Sequence, residues 1–237
     1  MESPAPRAAG RGRPSPAGSV SPEEARWFGR ALAAVPTPHL TPLLDLGSSS
    51  AAYRRVAAPE SESEIFAPLA GRGVAVHHVD LKPAPGVDVV GDVCDPAVQD
   101  RMRRLGVRAV MCTNLLEHVT DRAAVCRALE ALLPSGGLLF LSVPRAYPYH
   151  PDPIDTGFRP DVDELGRLLP GFELLRGEVV PFGTYAAQLR RKQWLVPRDA
   201  YLLVAGLWGR NRWRVLRENY RFLRRPFEQS CAVLRRR

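Results

Sequence analysis

Short apolar runs alternate with amphipathic segments along most of this 237-residue chain. The first run contains Leu43, Leu44 and Leu46. Later runs, rich in valine and leucine, cover 74–79, 87–93, 107–112, 138–143 and 172–180. Continuous apolar runs of this length indicate strands covered on both faces, as in a parallel sheet.

The segments between these runs have the spacing of helices. Ser21, with Glu24 three residues later, forms a capping-box pattern, and Trp27 and Phe28 begin an apolar stripe that is expected to pack on the core. Further helices are predicted at 62–69, 95–105, 121–133 and 161–169, whereas 51–63 has no clear period. Alternating strands and helices predict an α/β fold with a doubly wound, mainly parallel sheet.

Small or acidic residues follow the first three predicted strands. Gly47 can adopt a positive φ, and we expect the N–H groups after it to be free to hold an anion, although an ordinary turn has the same pattern. Asp80 ends the second strand, where a carboxylate can accept hydrogen bonds from ribose hydroxyls or simply form a turn. Asp92 ends the third strand.

Composition limits the class of protein. The apolar fraction is 45%, no apolar run is long enough to span a bilayer, and the N-terminus lacks an apolar signal core, so we expect a cytoplasmic protein. Cys94, Cys112, Cys126 and Cys231 lie far apart, with no C-x-x-C pair and no histidine at ligand spacing. We therefore expect reduced thiols and predict no metal site.

Charge divides the chain unevenly. The formal net charge is +8, and residues 189–237 carry fourteen lysines and arginines against three acidic residues. We predict a disordered tail at 1–20, a main domain at 21–180 and 228–237, and a basic, Trp- and Arg-rich helical insertion at 181–227. The insertion could cover an acceptor site, contact an anionic membrane surface through 190–225, touch nucleic acid, or be only a solvated helix.

Residues 43–180 resemble the class I S-adenosylmethionine-dependent methyltransferases, and the segment NLLEHVTDRAAVCRALEALLPSGGLLFLSVP at 114–144 is the most specific part of the resemblance. The resemblance implies a Rossmann-like sheet of about seven strands with an antiparallel last strand, expected at 228–234. A nicotinamide dehydrogenase would carry G-x-G-x-x-G, which is missing after the first strand.

The resemblance also implies roles for single residues. Asp45 and Gly47 would border the methionine end of the cofactor, and Ser49 would also contact the cofactor. Asp80 would hold the ribose, and Asp92 would face the adenine amino group. Asn114 and Leu115 would line the cofactor beneath the transferred methyl group, whereas Glu117 and His118 would support their loop. Family members commonly have G-x-G-x-G, and the serine and alanine at positions 49 and 51 resist the positive φ that glycine accepts.

The segment 145–160 follows the fifth predicted strand and is expected to form the acceptor wall, because ligands of open α/β sheets bind beyond the carboxyl ends of strands. His150 is the candidate general base. The candidate acceptor contacts are Tyr147, Tyr149, Asp152, Asp155 and Arg159. A polar turn ordered by its own Asp and Arg pairs is the alternative.

Together these features predict a methyltransferase that uses S-adenosylmethionine and acts on a small-molecule, carbohydrate-type or lipid-linked acceptor. One alternative is a non-catalytic member of the fold that docks on a membrane or on nucleic acid. Another is a methyltransferase of RNA or protein. The expected location is cytoplasmic, with peripheral membrane contact as a variant, and the oligomeric state is not predicted.

Overall fold

A computed structural model describes residues 20–150, 154–191, 196–197, 199–201 and 210–237. Within them the chain forms one seven-stranded sheet in the order β3-β2-β1-β4-β5-β7-β6. Strand β7 runs antiparallel to both β5 and β6, whereas the pairs from β3 to β5 are parallel. The strands are β1 Leu43–Leu46, β2 Val76–Asp80, β3 Val89–Val90, β4 Ala109–Thr113, β5 Leu138–Ala146, β6 Phe172–Thr184 and β7 Pro226–Arg236. This architecture confirms the predicted fold class.

Helices connect the strands and cover both faces of the sheet. They are α1 Pro22–Ala33, α2 Pro59–Ser61, α3 Ala67–Gly71, α4 Pro96–Arg103, α5 Arg122–Leu132, α6 Val162–Leu168, α7 Tyr185–Arg191 and α8 Arg210–Arg221. Two 3₁₀ turns cover Thr37–His39 and Leu116–His118, and two π-helical turns cover Tyr53–Ala57 and Glu62–Phe66. The described part of the chain contains no helix long and apolar enough to cross a membrane.

Three segments differ from the prediction. Residues 51–57 and 59–61 are helical despite their irregular pattern, because π-helical turns interrupt the usual period of 3.6 residues. Strand β3 is only two residues long, because Gly91 has a φ of +146° and allows α4 to approach closely; an added Cβ there would lie 2.5 Å from a methyl carbon of Val98. Strand β6 continues to Thr184, beyond the predicted end of the strand.

The first helix packs on the sheet as predicted. Ser21 Oγ accepts a hydrogen bond from the Glu24 N–H, and the Glu24 carboxylate accepts one from the Ser21 N–H, which completes the capping box. Trp27 and Phe28 are fully buried, and the Trp27 indole N–H donates to Glu178 on β6 at 2.7 Å. Helix α1 therefore belongs to the core, and Glu24 lies on its buried side.

Strand β1 lies between β2 and β4, so the carboxyl ends of these three parallel strands meet at one edge of the sheet. The loops that carry most of the predicted cofactor residues leave from this edge. All four cysteines are unpaired, and Cys112, Cys126 and Cys231 are buried. The predicted disorder of the N-terminal tail falls on residues 1–19, outside the described residues, as do Trp194 and Trp208 of the insertion.

Candidate functional site

The serine loop after β1 is held against the end of β2. Gly47 has a φ of +76° and Ser49 has a φ of +55°, so Ser49 adopts the conformation that we expected serine to resist. The Asp80 carboxylate accepts the Ser49 N–H at 2.8 Å, and this charged hydrogen bond stabilises the turn. The residue predicted to hold a ribose thus lies directly beside the loop predicted to border the methionine end.

Most N–H groups of this loop already have partners, so the prediction that they are free was wrong. Those of Gly47 and Ser48 donate to the Val79 carbonyl at 2.9 and 3.1 Å, and that of Ala51 donates to Pro85 at 2.9 Å. Val79 belongs to β2, so the first two bonds continue the pairing of β1 with β2, and the third forms because the loop after β2 packs against the serine loop. A Cβ added to Gly86 would lie only 2.6 Å from Ala51 Cβ.

Arg54 ties these two loops together. Its buried guanidinium donates to the carbonyls of Ser48 and Ser49, at 3.1 and 2.8 Å, and to that of Gly86 at 2.8 Å. Burial lowers the pKa of Arg54, and the negative charge of Asp45 partly opposes this effect. Sequence reasoning missed Arg54, because it lies in the segment whose period was irregular.

The remaining residues predicted to contact the cofactor have contacts of different kinds. Asp45 is buried and pairs with His78 Nδ1 at 2.9 Å, across the register of β1 and β2. Leu115 lies beside the serine loop, 3.4 Å from the position of a Cβ added to Gly47. Asp92 follows β3 and accepts the Cys94 N–H at 2.8 Å, as a turn-forming carboxylate does.

Asn114 belongs to a buried polar network with α1. Its φ is +51°, its side-chain amide donates to Glu24 at 3.2 Å, and its carbonyl oxygen accepts from Gln229 at 2.7 Å. The Ser142 hydroxyl also donates to Glu24. Burial raises the pKa of Glu24 to about 7, although hydrogen bonds from Ser142, Ser21 and Asn114 lower it. The sequence indicated only a capping role for Glu24.

A cavity of about 200 Å³ opens beside this network. Tyr147, a predicted acceptor contact, lines it, and burial raises the pKa of Tyr147 while a hydrogen bond with Gln188 lowers it. Gln188 belongs to α7, so the insertion forms part of the wall. The polar side chains of the lining include Glu24, Glu60, Asn114, Tyr147, Gln188 and Gln229.

The segment after β5 is ordered by its own charged pairs. Asp155 is buried and accepts from Arg159 at 2.6 Å and from the His150 N–H at 2.9 Å. Burial raises the pKa of Asp155, but hydrogen bonds from His150 and Arg159 outweigh it and hold the pKa well below its usual range. Tyr149 is half-buried in the same segment, and Asp152 lies outside the described residues.

His150 does not itself line the cavity, although its ring makes an edge contact with that of Tyr147 at 5.2 Å between centroids, and its other neighbours are Glu117 and His118. Burial raises the pKa of Glu117 to about 8, and burial lowers the pKa of His118, which a hydrogen bond to the Ile154 carbonyl opposes. The sequence predicted a supporting role for Glu117 and His118, and the contact of both with His150 was not foreseen.

Comparison with known proteins gives similarity in structure alone. No protein-family model matches the sequence, and no curated protein is significantly similar to it. A putative sarcosine dimethylglycine methyltransferase from Galdieria sulphuraria has a TM-score of 0.52 and 15% identity, over 89% of this chain and 83% of that chain. The [4+2]-cyclase SpnF has a TM-score of 0.50 and 15% identity, over 94% of this chain and 84% of that chain.

A SAM-dependent methyltransferase from Archaeoglobus fulgidus has a TM-score of 0.49 and 13% identity, over 91% of this chain and 95% of that chain. Because a cyclase shares the architecture, the fold does not by itself determine the reaction. The strand order, the antiparallel β7 and the similarity to the Galdieria sulphuraria structure give the chain the fold that class I S-adenosylmethionine-dependent methyltransferases adopt.

Proposed function

We propose that this protein is an S-adenosylmethionine-dependent methyltransferase that acts on a small-molecule, carbohydrate-type or lipid-linked acceptor. The observation that carries the proposal is the hydrogen bond from the Ser49 N–H to Asp80 beside Gly47, at the carboxyl edge of the parallel strands. Gly47 has a φ of +76°, which favours glycine, and an acidic side chain beside such a glycine turn is the arrangement that suits an adenosyl cofactor.

Asp80 would hold the ribose, Gly47 and Ser49 would border the methionine end, and Asn114 with Leu115 would lie beneath the methyl group. Asp45 is paired with His78, and we assign it the support of the loop. The cofactor supplies an electrophilic methyl group on a sulfonium. The protein then has to orient the acceptor and exclude water, and orientation alone can contribute about 7 kcal/mol or more.

Glu24 is our candidate for accepting a proton from the acceptor. It lines the cavity with Asn114, and a carboxyl whose pKa is about 7 can exchange protons near neutral pH. His150, the base predicted from the sequence, does not line this cavity. For an acceptor that loses a proton, Glu24→Gln would remove the dependence of kcat on this group, whereas His150→Asn would leave the pH profile unchanged.

We further propose that the insertion is an acceptor lid. Ala187 and Gln188 of α7 line the cavity, and the Tyr185 N–H donates to the Phe222 carbonyl at 2.9 Å, which links α7 to the chain after α8. Gln188→Ala would raise KM for the acceptor more than KM for the cofactor. Equal changes in both would contradict the lid.

The outer face of α8 favours a second role, contact with an anionic membrane surface. Trp213 and Tyr220 are both 44% exposed, and the side chains of Arg217 and Arg221 are exposed as well. Cosedimentation with vesicles of phosphatidylserine and phosphatidylcholine tests this role. Reversing both arginine charges should abolish sedimentation, and sedimentation that is insensitive to both salt and charge reversal would exclude it.

Calorimetric titration of the folded protein with S-adenosylmethionine tests the proposed activity. Saturable binding of one molecule per chain is expected. The absence of binding at millimolar ligand would instead favour a non-catalytic member of the fold. Strong salt dependence of acceptor binding would favour RNA as the acceptor class.

A further inference from the structure

Three side chains that can each bind a metal ion lie close together beyond the ends of β4 and β5. Glu117 and His118 lie in the 3₁₀ turn after β4, and His150 lies in the segment after β5. One ligand atom from each lies within 4.8 Å of the other two, and His118 Nε2 is 3.6 Å from Glu117 Oε1. Two imidazoles and a carboxylate are thus brought together by residues far apart in the sequence.

Both imidazoles are oriented through Nδ1. His118 Nδ1 donates to the Ile154 carbonyl, and His150 Nδ1 is 3.1 Å from the Asp155 carboxylate and 3.2 Å from the Pro148 carbonyl. Since all three partners only accept hydrogen bonds, each Nδ1 carries the proton of the neutral ring, and in that form each Nε2 keeps its lone pair. Metal-binding histidines are commonly held by such a partner on the other ring nitrogen.

The polar atoms at the centre of the cluster lack hydrogen bonds. Glu117 is fully buried, and neither of its carboxylate oxygens has a partner in the described part of the chain; the same is true of His150 Nε2. Buried polar groups without partners are rare, because their desolvation is costly. A cation bound between them would satisfy all of these atoms at once.

We propose that Glu117, His118 and His150 form a binding site for a divalent transition-metal ion, through two Nε2 atoms and a carboxylate oxygen. This donor set suits zinc and other nitrogen- and oxygen-seeking metals. Metal bonds of 2.0–2.2 Å in tetrahedral geometry place ligand atoms about 3.3 Å apart. The separation of 3.6 Å between His118 Nε2 and Glu117 Oε1 is already close to this value, and one candidate ligand atom of each of the three residues lies within 4.8 Å of the other two.

Three protein ligands leave at least one coordination position for water or for an oxygen atom of a bound molecule. Metal binding at this site does not depend on a bound cofactor or on methyl transfer, because all three proposed ligands are side chains of the protein. Cysteine spacing could not have predicted it, because its ligands are histidines and a glutamate.

The test uses the full chain, stripped with a chelator and then titrated with ZnCl₂ in a calorimeter and with CoCl₂ in a visible spectrometer. We expect one ion per chain and cobalt absorption typical of low coordination number with nitrogen ligands. Glu117→Gln should weaken zinc binding on the order of 100-fold, at the upper end of the range measured for residues that only support a ligand. His39→Asn, which removes an exposed histidine, should leave the affinity unchanged.

His118→Asn provides a second variant in case Glu117→Gln does not fold, because the His118 side chain is 15% exposed and is better placed to tolerate a change. It should weaken zinc binding to a similar extent. Either the lack of stoichiometric binding by the wild-type protein or unchanged affinity in a folded cluster variant would overturn the proposal. Neither outcome affects the titration with S-adenosylmethionine, so the two proposals fail separately.

Discussion

Replacing Glu24 with glutamine should change how the stability of the protein depends on pH. Glu24 is 1% exposed, and it accepts hydrogen bonds from Ser142, Asn114 and the Ser21 N–H without a basic partner among its hydrogen bonds. Burial raises its pKa from 4.5 to about 7. The folded state therefore holds a proton that the unfolded state releases over this pH range.

The size of the effect follows from this shift. Each pKa unit corresponds to about 1.4 kcal/mol, so the stability contributed by the protonated carboxyl is about 3 kcal/mol. Because the pKa of the folded state is raised, this contribution is fully present below about pH 4.5 and is lost as the pH rises through about 7. The wild type should thus lose about 3 kcal/mol relative to Glu24→Gln between pH 4.5 and about pH 8.

Urea unfolding of both proteins at several pH values in this range measures the difference directly. Comparing the two proteins removes most of the contribution from Glu117, whose pKa is also raised. Glu23→Gln is the matched control, since Glu23 is a neighbouring glutamate on α1 with a side chain 40% exposed. A free-energy difference between wild type and Glu24→Gln that does not vary with pH would refute the assigned burial of an ionisable carboxyl.

Three further substitutions test the packing around the sheet edge. Trp27→Ala should lower the free energy of unfolding by about 3–5 kcal/mol in urea, because the side chain is fully buried; a loss below about 1 kcal/mol would contradict its place in the core. Gly86→Ala should lower the free energy of unfolding by at least about 1–2 kcal/mol, because φ is +83° and the new Cβ would lie 2.6 Å from Ala51 Cβ. The control Gly71→Ala, with no atom within 4 Å of its Cβ, should be tolerated, and equal stabilities of the two variants would exclude the loop contact. Arg54→Lys should weaken S-adenosylmethionine binding about tenfold or more in calorimetry, because lysine cannot reproduce the forked contacts to three carbonyls. Unchanged affinity would show that these contacts do not shape the site.

The sheet could be predicted from the sequence because the patterns that define its strands and helices lie within short segments of the chain. Apolar runs and caps fix where strands and helices begin, as Ser21 and Asp95 do for α1 and α4. The approach of Gly47 to Asp80 followed from the rule that parallel strands end at one edge. Strand β3 was predicted too long, since valines alternate there although Gly91 ends the pairing.

The candidate site was predicted less completely, because its contacts join distant parts of the chain. Glu24 and Asn114 are 90 residues apart, and nothing in the capping box indicates that the same carboxylate reaches a second element. Arg54 contacts Gly86 across 32 residues. The pairing of Asp155 with Arg159 was foreseen as an alternative, since both residues lie in one short polar segment.

The central claim is that Asp80 and the serine loop together form the cofactor site, and a titration of S-adenosylmethionine into variants tests it most directly. Asp80→Ala should weaken binding about tenfold to 100-fold, the usual range for losing a hydrogen bond to a charged group. Arg221→Ala, on the exposed face of α8, should leave the affinity unchanged within about twofold. Equal affinities of the two variants would contradict the site.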